Sequence, residues 1–174
     1  MADFTIIEAG EADVPALALV GAATFLDGFA GRLDGPALVT HCGNHHTEAA
    51  YRTLLERGAR AWIAQVQPGG APVGYAVVSP SDLAQAEDGD LELKRIYLLS
   101  RYQGSGIAQA LLEAALGGAG DASRLLLGVK DDNHRAIRFY EKQGFASIGT
   151  RQFDVGGRLY DDLVMARPMK APVA

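Results

Sequence analysis

The stretch Leu91-Glu92-Leu93-Lys94-Arg95-Ile96-Tyr97-Leu98 runs through a short turn into Gln103-Gly104-Ser105-Gly106-Ile107-Ala108. The first part reads as a strand and the second as a glycine turn opening a helix, because Ala108, Leu111, Leu112 and Ala115 follow helical spacing. A helix start leaves backbone N–H groups unpaired and carries positive partial charge, and glycine lets a phosphate approach them. The chemistry on offer is anion binding at the end of a strand, best suited to a phosphorylated cofactor. The dinucleotide fingerprint is excluded, because Gln109 stands where its third glycine belongs. The P-loop is excluded too, because no Gly-Lys-Ser/Thr ending follows. His41, Cys42, His45 and His46 are a second group of reactive types. Adjacent histidines in a short segment make a closed tetrahedral metal site awkward. No metal is expected there, and the cluster reads as a loop on the substrate side.

The elements that must position these groups follow from pattern. Phe4 to Glu8 reads as a first strand, and a helix capped by Asp13, with Pro15 in its first turn, runs to about Phe29. Residues 31–46 show no assignable pattern. Thr47 caps a second helix that stops at Gly58. Arg60–Gln67 and Val73–Ser79 form a hairpin around Pro68-Gly69-Gly70-Ala71-Pro72, and an acidic loop spans Pro80–Gly89. Leu125-Leu126-Leu127-Gly128-Val129 is a continuous apolar run, as expected of a strand buried on both faces. Strand, helix, strand in that order implies a parallel pair. Asn133 opens a helix with Ala136, Phe139 and Tyr140 on its apolar face, and Gly144 ends it. Phe145–Val155 and Leu159–Ala166 close the chain as two strands. The fold class is α/β, a mixed and mainly antiparallel sheet with helices on both faces. Residues 1–169 read as one domain and 170–174 as a tail.

The net charge of −5 argues against a dedicated nucleic-acid binder. The single cysteine, Cys42, can form no internal disulfide, which suits a reducing compartment. No signal peptide and no membrane-spanning run is read, so a cytoplasmic protein without a membrane partner is expected.

At this point the chain resembles the GCN5-related N-acetyltransferases. Gln103-Gly104-Ser105-Gly106-Ile107-Ala108 fits that family's acetyl-CoA loop, and Asn133 through Phe145 fits its second block. The resemblance covers roughly residues 3–168. It implies a central parallel pair of strands that splays where a bulge interrupts the first. By the same resemblance, backbone groups of Ile96, Tyr97 and Leu98 meet the pantetheine arm and the acetyl carbonyl. Leu98 N–H is the oxyanion donor, and Gln103, Gly104, Ser105, Gly106, Ile107 and Ala108 cradle the pyrophosphate. Asn133 contacts the cofactor, and Tyr140 protonates the leaving thiolate.

Glu92 is the candidate base, eleven positions before Gln103 as in relatives that use a strand glutamate. Members acting on ribosomal-protein N-termini often carry a glutamate five residues before the motif asparagine, where this chain has Gly128. Arg135, Arg138 and Lys142 either approach the cofactor's ribose phosphate or form a solvated face. Phe25, Phe29 and Tyr51 lie in the segment that lines the acceptor site in relatives. The chain's ending looks closer to bacterial small-amine and polyamine acetyltransferases. The implied function is acetyl-CoA-dependent acetylation of a small polyamine-like primary amine. A protein N-terminus or lysine is the alternative acceptor, and a non-catalytic acyl-CoA sensor is the alternative from another class. A homodimer is the family's common assembly.

Overall fold

The structure, a computed structural model, describes residues 3–169; the tail expected at 170–174 lies outside them. Seven strands form one sheet: β1 (Phe4–Ala9), β2 (Arg60–Val66), β3 (Ala71–Pro80), β4 (Leu91–Leu98), β5 (Arg124–Lys130), β6 (Ala146–Val155) and β7 (Arg158–Pro168). Their order is β1-β2-β3-β4-β5-β7-β6, antiparallel except for the central β4–β5 pair. The helices are α1 (Val14–Phe29), α2 (Gly35–His45), α3 (Glu48–Glu56), α4 (Ile107–Gly118) and α5 (His134–Lys142).

Two apolar layers hold the sheet. On one face α4 and α5 bury Ile107, Leu111, Leu112 and Tyr140 against Leu93, Leu125, Leu127 and Met165. On the other, α1 and α3 pack Val14, Leu17, Val20 and Tyr51 against Ile63, Tyr75 and Val77. Each large apolar side chain so buried contributes about 1.5–3 kcal/mol. A smaller cluster of Phe25, Leu33, Leu38 and Val155 seats α2 over the C-terminal strands.

The parallel pair is short. Only Leu91↔Leu125 and Glu92↔Leu126 are in register, and beyond them β4 and β5 diverge. The cause lies in β4. Val77 pairs with Arg95 but Val78 pairs with Leu93, so Lys94 is an extra residue without a partner on β3. Such a bulge bends the strand that carries it and ends regular pairing.

Three expectations change. Residues 35–45, unassigned from sequence, are helical. Asp34 caps α2 by accepting from Ala37 N–H at 3.0 Å, and Pro36 sits in the first turn. His41, Cys42 and His45 are therefore on a helix, not a loop. Asp13 stands at the N-cap position of α1 as expected, but its side chain makes no bond to the helix; its carboxylate accepts from Gly10 N–H at 2.9 Å and closes the short turn before the helix. Glu11–Phe29 is also long and apolar enough to cross a membrane by length and composition, with mean hydropathy 1.4. In the fold its inner side is core, with Val14, Leu17 and Val20 buried.

Candidate active site

The splay opens a cavity of about 540 Å³. Ile96, Tyr97 and Leu98 form one wall and Leu127 to Lys130 the other, with Ala136, Phe139 and Tyr140 of α5 above them. Leu99 N–H donates back to Val73 at 2.9 Å. Donors alternate along a strand, so those of Leu98 and Ile96 turn to the side from which β5 has withdrawn. An extended ligand there can pair with β4 as the missing strand would.

Gln103, Gly104 and Ala108 stand at the mouth, facing Asn133 and Arg135. Gly104 and Gly106 have φ of +81° and +89°, and nothing lies within 4 Å of where a Cβ would stand on either. Backbone conformation, not crowding, calls for glycine at both, and the space outside stays open. Ser105 Oγ donates to Tyr102 O, fixing the turn. Asn133 Oδ1 accepts from Ala136 N–H at 3.3 Å and caps α5. Arg135 donates to the Gln103 side-chain carbonyl and ties the second block to the first across the mouth. Ser105, Gly106 and Ile107 do not line the cavity; Ile107 is fully buried in the core.

Tyr140 reaches the cavity from α5 and is 8 % exposed. Burial, followed by the neighbouring Tyr97 hydroxyl, pushes its phenol well above the ordinary range. Burial likewise raises Tyr97 to about 12. Both phenols keep their protons at neutral pH, so Tyr140 is equipped to donate one.

A second cavity, about 530 Å³, adjoins the first and shares Phe25, Lys94, Arg95, Tyr97, Arg151 and Phe153 with it. Glu92 lines this second space and not the first. It is 2 % exposed, with Oε2 accepting from Ser81 Oγ and Asp82 N–H at 3.3 Å each. Its Oε1 lies 3.7 Å from Arg151 Nη1. Arg151 starts on β6, donates through Nε to Asp162 on β7 at 3.1 Å, passes over Gly128 on β5 and ends beside Glu92 on β4. One side chain thus spans the splay at the point where the parallel pair stops. Asp162 lines the first cavity, and burial raises its carboxyl against the opposing pull of Arg151.

His41, His45 and His46 also line the second cavity. His41 stacks on Phe25 with ring centroids 4.4 Å apart, and His46 Nδ1 pairs with Tyr51 Oη at 2.9 Å. Burial, with the charges of His45 and Arg95 adding to it, lowers His41 to about 4. Burial and then Arg95 lower His46 to about 3. These imidazoles are neutral at pH 7. Among the described residues no group of three or more His, Cys, Asp or Glu is arranged to hold a metal.

Phe25 lines both cavities and Phe29 the first. The expectation for Tyr51 changes: it is 1 % exposed and lines neither, serving as the support beneath His46 and Arg95. Arg151, Asp162 and Arg95 were not foreseen as site residues, whereas the histidine cluster was expected on the substrate side and lines the second cavity from α2 and the residue after it. Alternation along β6 and β7 puts Arg151 opposite Asp162, but only the pairing register brings them to Glu92.

Residues 34–145 match the model of the acetyltransferase (GNAT) family, and the chain belongs to that family. An uncharacterized N-acetyltransferase of Mycobacterium tuberculosis is 44% identical over 102 residues, 58% of this chain. That match spans 62% of the relative's length. A peptidyl-lysine N-acetyltransferase of Escherichia coli is 29% identical over 125 residues, covering 68% of this chain and 76% of that protein. The crystal structure of the PaiA N-acetyltransferase from Thermoplasma acidophilum, in complex with coenzyme A, superposes with a TM-score of 0.74. It covers 95% of this chain and 99% of that one at 17% identity, a likeness of fold.

Proposed function

We propose that the protein transfers the acetyl group of acetyl-CoA to a primary amine by direct attack. One observation carries this reading. The glycine turn, the unpaired edge of β4 and the protonated Tyr140 phenol all open on the same cavity. Acetyl-CoA supplies the activated acyl group, as a thioester. Gln103, Gly104 and Ala108 with the first turn of α4 would hold its pyrophosphate, with Asn133 and Arg135 alongside. The open N–H groups of Ile96 and Leu98 would hold the pantetheine arm and the acyl oxygen.

The residues divide the work by side of the splay. The N–H of Leu98 is fixed in place before charge develops on the acyl oxygen, the condition for electrostatic stabilisation without reorganisation. Tyr140 holds a proton for the departing sulfur. Glu92 opens on the second cavity, the side from which an acceptor would arrive. An alkylammonium has no lone pair, so it must lose a proton before attack. Glu92 is the group proposed to accept that proton, directly or through water, with Arg151 holding its carboxylate. Phe25 and Phe29 would give the acceptor an apolar wall.

A small-molecule amine is the preferred acceptor, polyamine-like amines included. A peptide or protein amine is the second reading, favoured by the lysine-acetylating E. coli relative. Amine-dependent release of free thiol from acetyl-CoA, over a panel of both kinds, tests the reading. Binding of coenzyme A without such release would make the chain a sensor instead.

A further inference from the structure

We propose that the acceptor amine also carries a carboxylate, and that Arg95 receives that carboxylate where the two cavities meet. The inference rests on the acetyltransferase reading above and names its substrate class.

Arg95 is the first residue beyond the β4 bulge and lines both cavities. Its guanidinium lies over the Tyr51 ring, 5.0 Å from the centroid, and Nη1 donates to the His45 carbonyl at 3.1 Å. No carboxylate among the described residues forms an ion pair with it. The other cations on these walls are engaged: Arg151 lies between Glu92 and Asp162, Lys94 meets Asp82 at 2.8 Å, Lys130 and Arg32 meet Asp132 at 3.2 and 3.4 Å, and Arg135 at the mouth donates to Gln103. Asp154 is the remaining acid of the second cavity, and its Oδ1 accepts from Gly157 N–H at 2.8 Å.

Arginine carries five N–H donors in a planar fork that matches a carboxylate edge to edge. Withdrawing such a group from water without an acceptor is costly, so a guanidinium packed on a ring and left unpaired implies an anion that completes it. The histidines around it do not compete, since burial and Arg95 itself keep His41 and His46 neutral. Two buried ring nitrogens there, His41 Nδ1 and His46 Nε2, have no partner among the described residues. Phe25 and Phe153 flank the same space, so an apolar side chain suits the rest of the molecule. An amino acid with a large apolar side chain suits both the guanidinium and the aromatic wall. A polycation meets Arg95 unshielded.

The experiment compares matched acceptors, L-phenylalanine, L-leucine and L-methionine against their amides, with spermidine added, reading thiol release from acetyl-CoA. The expected result is that a carboxylate acceptor exceeds its amide in kcat/KM by about ten- to a hundredfold. In Arg95→Gln that ratio should fall to near one, and in Arg95→Lys it should be partly kept, with both variants checked for a wild-type melting profile. Amides that match or exceed their acids, or spermidine as the preferred acceptor, would overturn the inference while leaving amine acetylation intact. If no acceptor is turned over, calorimetry of N-acetyl-L-phenylalanine against its amide on the chain loaded with coenzyme A decides it. A preference for the acid supports the Arg95 site, and equal or absent binding of the two overturns it.

Discussion

The guanidinium of Arg151 occupies the space where any side chain at position 128 would begin. A Cβ placed on Gly128 overlaps it. Here glycine leaves the space free, and a cation reaching across from β6 fills it, flanked by Glu92 and Asp162. Arg151 so placed brings Glu92 of β4 and Asp162 of β7 to one guanidinium. It also ties together two halves of the sheet that share only two register pairs, Leu91↔Leu125 and Glu92↔Leu126.

Gly128→Ala should therefore destabilise the fold by about 1–3 kcal/mol, because a packed charged group must move. In an Arg151→Ala background the same change should cost little, a coupling of about 0.5–3 kcal/mol between the two sites. Urea denaturation of the four proteins measures it. An equal cost in both backgrounds would separate the residues.

Glu92→Gln keeps the shape of the side chain and removes its charge. If Glu92 accepts the acceptor's proton, kcat/KM should fall by about a hundredfold or more, with coenzyme A affinity unchanged. The pH dependence of turnover should change as well. An unaltered profile would leave Glu92 as only the partner of Arg151.

His41 and His46 make stability depend on pH. Both have folded values far below the ordinary 6.5, at about 4 and about 3. Above pH 6.5 neither the folded nor the unfolded chain protonates them, and their neutral burial is free of penalty. Below it the unfolded chain takes up protons that the folded chain refuses. Stability should fall by about 1.4 kcal/mol per pH unit for each imidazole until its folded value is reached. Melts between pH 7 and pH 5 check this, and His41→Leu should reduce the slope. A slope unchanged by that substitution would contradict the burial argument for His41.

The glycine turn and the second block were legible in the sequence because they are made locally. The Gln103–Ala108 turn needs only φ-permissive glycines and a helix start, and the Asn133–Gly144 block needs only a cap and an apolar face. The cluster of Arg151, Glu92 and Asp162 was not, because it is made by long-range register. Arg151 acquires its role only when β6 pairs with β7 and β7 inserts beside β5. Helix α2 was hidden by Gly35, Pro36 and Gly43, residues of low helix propensity in its interior or first turn. Its cap at Asp34 and its packing of Leu38 beneath Phe25 and Val155 outweigh them. Tyr51 has the same amphipathic spacing whether it faces a ligand or the core, and contact with Tyr75 and His46 settled it as core.

In the proposed reaction the splay holds an acyl-transfer site in which Tyr140 supplies the proton for the leaving sulfur. Tyr140→Phe tests it most directly, read as amine-dependent thiol release from acetyl-CoA beside calorimetry of coenzyme A. Turnover should fall by about a hundredfold or more while coenzyme A binds as before. Turnover equal to that of the unmodified protein would contradict it.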